Sequence, residues 1–315
     1  KSIAKNSRKN PLMIGVNLFS YDKYVQILLN ANYTVVVIEQ TTPPPEPERE
    51  VTNIFSPGIN MQHEIKGNTS NCVCLYMETV KDLKKYKDVM YIGISCIDLS
   101  TGTSKVFETY SNIQDKTLAL DEAFRFIQIT DPKEVLIYKK DISLNNSELS
   151  GYFDLSSRVT HIKESSDIPN EFTNISYQKT FFEKIYKNTG LLSVIEYLDL
   201  ERRPFGTISF MCLLDFAYKH NENIINQINK PEIVSDTNNL ILTNNTINQL
   251  NVVAHTSNNN NMKFNSLYAV INNNNTAIGR RYLRERLLNP ITDIDTLNKR
   301  YDCISEMMTP ENTQY

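Results

Sequence analysis

A pair of adjacent helical patterns near the C-terminal end constrains this chain more than any other feature. Apolar residues recur at helical spacing from Ile278 to Leu288, and Thr276 before them is a good N-cap, because its hydroxyl can accept a hydrogen bond from a first-turn N–H. Pro290 ends this helix, and Thr292 or Asp293 can cap the next one. Four arginines lie between the apolar positions: Arg280, Arg281, Arg284 and Arg286. Spacing alone predicts amphipathic helices with a solvated arginine-rich face, packed on a helical core.

The middle of the chain has the pattern of a layered α/β domain. Residues 72–77, 90–99 and 104–108 are rich in β-forming side chains, and Gly102 is free to take a positive φ in the turn before the third strand. Residues 116–129 have helical periodicity, and the apolar run at 134–138 predicts a buried strand. Three antiparallel strands, a helix and a parallel strand are the opening half of a ribonuclease-H-like layer.

The first sixty residues predict a smaller α/β unit. A helix is expected over residues 21–29, followed by a strand over 34–38 that lacks polar alternation and is therefore predicted to be buried on both faces. The proline-rich residues 43–47 cannot join a β-ladder, so a loop should separate that strand from the next one at 51–55. Pro57 and Gly58 then mark a turn and a domain boundary.

The second half of the chain is predicted to be mostly helical. Residues 207–220 form the most periodic piece of a helical region that spans 181–229, and beyond Pro231 the sequence loses β character. Thr243 is a candidate N-cap there. Gly279 lies inside a predicted helix, where glycine costs about 1 kcal/mol relative to alanine, which predicts close packing against another backbone.

Several segments, in the same order, resemble the MutS family of DNA mismatch-repair proteins. Residues 266–304 are similar to the core-domain signature S-L-x-x-x-L-(x4)-T-x-x-G-x-R-x-L of that family. Residues 10–40 and the REVTNIFSPGI string at 49–59 resemble the end of the mismatch-recognition domain, and residues 91–108 resemble the first hairpin of the connector domain. The proline-rich TTPPPEPEREV segment is most similar to the MutS subgroup of giant viruses and octocoral mitochondria.

The resemblance implies a multi-domain α and β protein. Residues 1–57 would be the C-terminal part of a mixed α/β mismatch-recognition domain, residues 58–230 a ribonuclease-H-like connector, and residues 231–315 the start of an all-α core/lever domain. It further implies an internal fragment that begins after the Phe-x-Glu mismatch wedge and lacks the ATPase domain, where the family holds ATP and Mg²⁺. The Phe-x-Glu string at 181–183 is in the wrong place for the wedge, so we interpret it as core packing.

By the same resemblance, the chain would bind mismatched double-stranded DNA and transmit the bound state to the distant ATPase domain. The full-length protein would be a homodimer, with a MutL-type partner on the connector. Met13 and Gly15 match a family loop that approaches the duplex, although Leu12 and Asn17 replace two family prolines. A basic run just upstream is either a set of phosphate contacts or a solvated tail, and comprises Lys1, Lys5, Arg8 and Lys9.

An enzymatic alternative is a stand-alone ribonuclease-H-like nuclease, or a scaffold protein of that fold. A two-metal nuclease needs converging carboxylates. Asp98 ends the second predicted strand and Glu122 lies on the following helix, but the first strand has no acid within residues 72–76. No G-x-x-x-x-G-K-(S/T) phosphate loop occurs either. The chain is therefore predicted to have no catalytic residues and no cofactor of its own.

Composition adds limits on compartment and partners. The net charge is -3, so any DNA-binding surface must be a local patch or lie elsewhere in the protein. The five cysteines include no C-x-x-C pair and favour free thiols in a reducing, intracellular compartment. The four histidines lack metal-ligand spacing, and no run is apolar and long enough to span a membrane.

Overall fold

The computed structural model describes residues 7, 11–43, 45–60, 71–82, 87–99, 101–111, 114–220, 228–235, 239–254 and 264–309. The strands are β1 Val35–Gln40, β2 Arg49–Phe55, β3 Asn71–Asp82, β4 Lys87–Asp98, β5 Thr103–Tyr110, β6 Glu134–Lys140, β7 Val159–Glu164 and β8 Glu232–Ile233. The α-helices are α1 Tyr21–Asn30, α2 Leu118–Thr130, α3 Asn146–Tyr152, α4 Ile175–Ile185, α5 Val194–Tyr197, α6 Pro204–His220, α7 Asn244–Gln249, α8 Leu267–Ile271, α9 Ala277–Leu288 and α10 Ile294–Met307. No helix among the described residues is both long and apolar enough to cross a membrane.

The N-terminal unit consists of α1 and the antiparallel pair β1–β2. Val25 and Leu29 of α1 pack with Phe55 in a small apolar cluster. The prediction that β1 is buried on both faces was wrong: Val36 is 51% exposed and Ile38 58% exposed. The inward residues of this two-stranded ribbon, Val35 and Val37, pack on the α1 cluster, whereas its outward residues are uncovered by the described residues. The apolar run did not reveal this, because β-branched residues are favoured on exposed as well as buried faces of a strand.

The central sheet has six strands in the order β7-β6-β3-β4-β5-β8. Strands β3, β4 and β5 are antiparallel neighbours, whereas β6 pairs parallel to β3 and β7 parallel to β6. This arrangement confirms the ribonuclease-H-like layer. Gly102 takes φ 70° in the turn before β5, as predicted. The two-residue β8 pairs parallel to β5, so some β structure persists just beyond Pro231, contrary to the expectation of helices alone.

Each face of the sheet is covered by one principal helix. Helix α6 lies on one face and buries its apolar residues against those of β3 and β4, together with Phe182 of α4. The backbone approach is close enough that a Cβ at Gly93 of β4 would lie 2.0 Å from the carbonyl oxygen of Phe205. Phe181 also packs against this cluster, which confirms core packing for the Phe-x-Glu string. Helix α2 covers the opposite face. We call the strands β3–β7 with helices α2–α6 the sheet domain.

The C-terminal helices α7, α8 and α9 continue the α2 side of the molecule. The apolar cluster that contains α2 also includes Ile247 of α7, Leu288 of α9, and Val252, which follows α7. The predicted N-caps are present: Thr243 accepts from the Thr246 N–H and Thr276 from the Gly279 N–H. Between the two residues proposed for α10, Asp293 is the cap and accepts from the Thr296 N–H.

The explanation given for Gly279 was wrong. A Cβ there would approach side-chain atoms, with Thr276 Oγ1 at 3.0 Å and Asn274 Oδ1 at 3.1 Å, and another backbone is not among the nearest atoms. The glycine therefore leaves room for the capping turn that precedes α9.

Candidate functional site

The loop before α1 is an exposed apolar segment. Met13 is 87% exposed, and a Cβ at Gly15 would meet nothing within 4 Å. Sequence reasoning missed two further residues of this segment, Leu18 at 88% and Phe19 at 104% exposure, although the string LMIGVNLF has only one polar residue and could have indicated them. Apolar side chains presented this way are of the kind that proteins insert between base steps in the minor groove.

The basic residues predicted for phosphate contact cannot be placed relative to this loop. Lys1, Lys5, Arg8 and Lys9 lie outside the described residues. The structure therefore brings together only Met13 and Gly15 among the predicted DNA-contacting residues, and their role stays a prediction.

A second candidate site is the polar face of α2, which the C-terminal helices cover. Arg125 is 2% exposed, and its Nη2 lies 2.5 Å from Glu122 Oε2 in a buried ion pair. Its Nη1 donates to the side-chain oxygen of Asn289, just after α9. Burying a charge is costly unless it is paired and hydrogen-bonded, so this site depends on both partners.

Arg284 of α9 extends the same contact toward the end of α2. Its Nε donates to the Gln128 carbonyl oxygen at 2.7 Å, and its Nη2 donates to Gln128 Oε1 at 3.1 Å. The same guanidinium lies 3.7 Å from Asp131, the residue with φ 45° that ends α2, and Arg158 binds that carboxylate at 3.1 Å. The end of α2 is thus held by one arginine from the sheet domain and one from α9.

Asp121 anchors the first turn of α2 to the helices that follow the sheet. Its Oδ1 accepts from the Tyr152 hydroxyl at 2.6 Å and from the backbone N–H of Asn244, the first residue of α7, at 2.9 Å. Burial, and then the bond to Asp121, raises the pKa of Tyr152, so the phenol stays neutral and donates. The Asn244 side chain donates to the Tyr152 carbonyl oxygen at 2.7 Å.

The carboxylates considered for a nuclease have basic partners. Asp98 Oδ2 lies 3.9 Å from Arg281, and Glu122 pairs with Arg125. Cavities of about 170 and 60 Å³ lie between β5, α2 and α9, and both are lined by Lys105 and Glu285. Within the described ranges, no group of three or more His, Cys, Asp or Glu side chains is placed to hold a metal ion.

Comparison with known proteins matches both ends of the chain to one family. The model of MutS domain I matches residues 2–64, and that of MutS domain III matches residues 245–315. These ranges contain the exposed loop before α1 and the helices that cover α2.

Curated relatives extend the match over nearly the whole chain. A putative DNA mismatch repair protein mutS homolog of Acanthamoeba polyphaga mimivirus is 32% identical and covers 98% of this chain. The DNA mismatch repair protein MutS of Borrelia turicatae and that of Caldanaerobacter subterraneus are each 26% identical and cover 94% of it. The chain spans 29% of the mimivirus relative and 31% of each of the other two.

Among solved structures, that of Fowlpox virus resolvase with a Holliday junction substrate covers 47% of this chain and 97% of the resolvase chain. Its TM-score is 0.28 at 12% identity, which is too low to indicate a shared fold or function. The two family models, in the order of the family's domains, and the mimivirus relative agree with each other. The chain belongs to the MutS family.

Proposed function

We propose that this chain is the DNA-approaching and coupling part of a MutS-type protein that binds mismatched double-stranded DNA. One observation carries the proposal: the segment matching MutS domain I presents the exposed loop, while helices matching MutS domain III pack on α2 of the sheet domain between them. The names of the relatives, DNA mismatch repair proteins, supply the substrate class.

The coupling role rests on the contacts of α2. Asp121, Arg125 and Gln128 each bind a residue of the C-terminal segment, and all three are buried. A displacement of the sheet domain would therefore move α7 and α9 with it, because sliding α2 would leave buried polar groups without partners. Through these contacts the DNA-bound state would reach an ATPase domain outside this chain.

Within this proposal, the chain itself catalyses no reaction. The ATP and Mg²⁺ of the family would be held by residues outside these 315, because no G-x-x-x-x-G-K-(S/T) loop is present to cradle phosphates. Asp98 contacts Arg281 of α9, and Glu122 belongs to the buried ion pair with Arg125. Protein-dependent ATP turnover or Mg²⁺-dependent DNA nicking by the purified chain would favour the nuclease alternative instead.

The partners follow from the same assignment. The full-length protein would be a homodimer, and the sheet domain would receive a MutL-type partner.

The described cysteines are free thiols, four of them buried, which supports a reducing intracellular compartment.

A salt titration tests the DNA-binding proposal. We expect this chain to bind matched and mismatched duplexes equally and weakly, since its one Phe-x-Glu string, at residues 181–183, packs in the α6-side core and does not face DNA in this proposal. Each neutralised phosphate contributes about -0.9 to the log–log salt slope, so Lys1, Lys5, Arg8 and Lys9 together give a slope no steeper than roughly -4. Replacing all four with glutamine should bring the slope close to zero.

The matched control is a quadruple glutamine variant of exposed lysines on or near the sheet domain: Lys116, Lys179, Lys184 and Lys187. The control should keep the wild-type slope. A control that loses the slope equally would show that DNA binds through overall charge, and clear preference for the mismatch would show that a recognition element lies within this chain.

A further inference from the structure

The link between the N-terminal unit and the sheet domain is buried, where a domain boundary is usually an exposed linker. Residues 56–60, directly after β2, are all buried. Ile59 belongs to the α6-side core, and the Ser56 and Ile59 backbones exchange hydrogen bonds of 3.3 and 3.2 Å in a tight turn. The turn predicted at Pro57–Gly58 is therefore present, but it is packed into the sheet domain.

A fully buried carboxylate, that of Glu134, holds this turn. Its Oε2 accepts from the Ser56 hydroxyl at 2.5 Å and from the Gly58 N–H at 3.1 Å. Its Oε1 lies 2.8 Å from His161 Nε2. Glu134 is 0% exposed, so these donors replace the water that an ionised carboxylate would otherwise require.

The turn also packs so closely against β6 and β3 that only glycine fits at position 58. A Cβ at Gly58 would lie 2.5 Å from Glu134 Cβ and 3.3 Å from Cys72 Cβ. Glu134 is the first residue of β6, whose neighbours in register are Cys72 on β3 and Val159 on β7. Three segments therefore meet at one side chain: the exit from β2, the start of β6, and β7 through His161.

Another polar contact between the same two regions is weaker. Asn32, after α1, donates to the Ser157 carbonyl oxygen at 3.3 Å from an exposed position. A single exposed bond of that length contributes little compared with charge-assisted bonds to a buried carboxylate.

From these contacts we infer that Glu134 is a positioning residue that fixes the N-terminal unit on the sheet domain, so that the two move as one body. The inference deepens the proposed function, and only its functional meaning rests on that proposal. A rigid connection after β2 would transmit a displacement of the loop before α1 to the sheet. The positional claim itself needs no DNA.

Distance measurements between two spin labels test it. The labels are placed through Lys23→Cys on α1 and Lys179→Cys on α4, both exposed, in a Cys303→Ser background whose other cysteines are buried. Glu134→Gln removes the charge, and the milder Ser56→Ala removes one donor. We expect the distance distribution to become at least twice as wide in Glu134→Gln, and measurably wider in Ser56→Ala, while amide protection in α6 stays at the wild-type level in Ser56→Ala.

The control is Glu164→Gln, which neutralises an exposed carboxylate paired with Lys139 at 3.2 Å on the neighbouring strand. It should leave the distribution unchanged. If Glu134→Gln does not fold, Ser56→Ala decides. Distance distributions as narrow as the wild type in every folded variant of Glu134 or Ser56 would overturn the inference. Absence of DNA binding in the salt titration would instead overturn the proposed function and leave these distances unchanged.

Discussion

The two helices that cover the sheet, α6 and α2, differ in what they bury. The buried residues of α6 are apolar or small and carry no charge, and its ion pair, Asp215 with Lys219, faces outward. Helix α2 buries Asp121, Glu122 and Arg125 as well as its apolar side. A helix that only closes a sheet needs one apolar face, so the buried charges of α2 identify a second surface that other elements cover.

That difference separates a core from an interface. On the α6 side, removal of a contact should loosen the sheet domain itself. On the α2 side, removal of a contact should release the C-terminal helices, because Asn244, Arg284 and Asn289 provide the partners. Variants on the two sides of the sheet therefore distinguish a core from an interface.

The largest effect is expected from splitting the buried ion pair of α2. Arg125→Leu leaves the Glu122 carboxylate buried without its cation and should lower the free energy of unfolding by about 3–5 kcal/mol. The double variant Arg125→Leu/Glu122→Leu should recover most of that loss, since apolar residues of similar volume can replace a buried pair. Chemical denaturation of both variants measures this, and a double variant as unstable as the single one would contradict it.

A somewhat smaller effect is expected on the α6 side, from Gly93→Ala. The new Cβ would lie 2.0 Å from the Phe205 carbonyl oxygen, so α6 must move off the sheet, at a cost of about 3 kcal/mol. Gly151→Ala is the control, because a Cβ there meets nothing within 4 Å. Thermal unfolding of the pair checks the prediction, and equal melting temperatures would show that the two elements are not in close backbone contact.

The smallest effect is expected from Arg284→Ala. The variant removes two hydrogen bonds to Gln128 from a side chain that is only 18% exposed, so we expect a loss of about 2 kcal/mol. Arg158 keeps its contact with Asp131, which limits the damage to α2 itself. Lys299→Ala, at an exposed position of α10, should change stability by less than about 0.5 kcal/mol. Equal losses of unfolding free energy in Arg284→Ala and Lys299→Ala, measured by chemical denaturation, would contradict the assignment of Arg284 to the contact with α2.

Local features of this molecule could be predicted from the sequence, because their causes are local. The caps at Thr243, Thr276 and Asp293 each bond to an N–H three residues away, within the span of a sequence motif. The strands of the sheet and the positive φ of Gly102 follow from residue type in the same way.

The two junctions could not be predicted, because their partners are distant along the chain. Ser56 and Glu134 are separated by 78 positions, Arg284 and Gln128 by 156, and Arg125 and Asn289 by 164. Asp121, Glu122 and Arg125 have the spacing of a solvated helix face, and only the tertiary arrangement of α7 and α9 buries them.

Hydrogen exchange of Arg284→Ala tests the central claim, that α2 is the surface through which the C-terminal helices are coupled to the sheet domain. Amides in α2 and α9 should lose protection relative to the wild type, while amides in α6 exchange at the wild-type rate, because the apolar face of the sheet is untouched. Equal loss of protection in α6 and α2 would contradict the account, as would unchanged exchange in both α2 and α9.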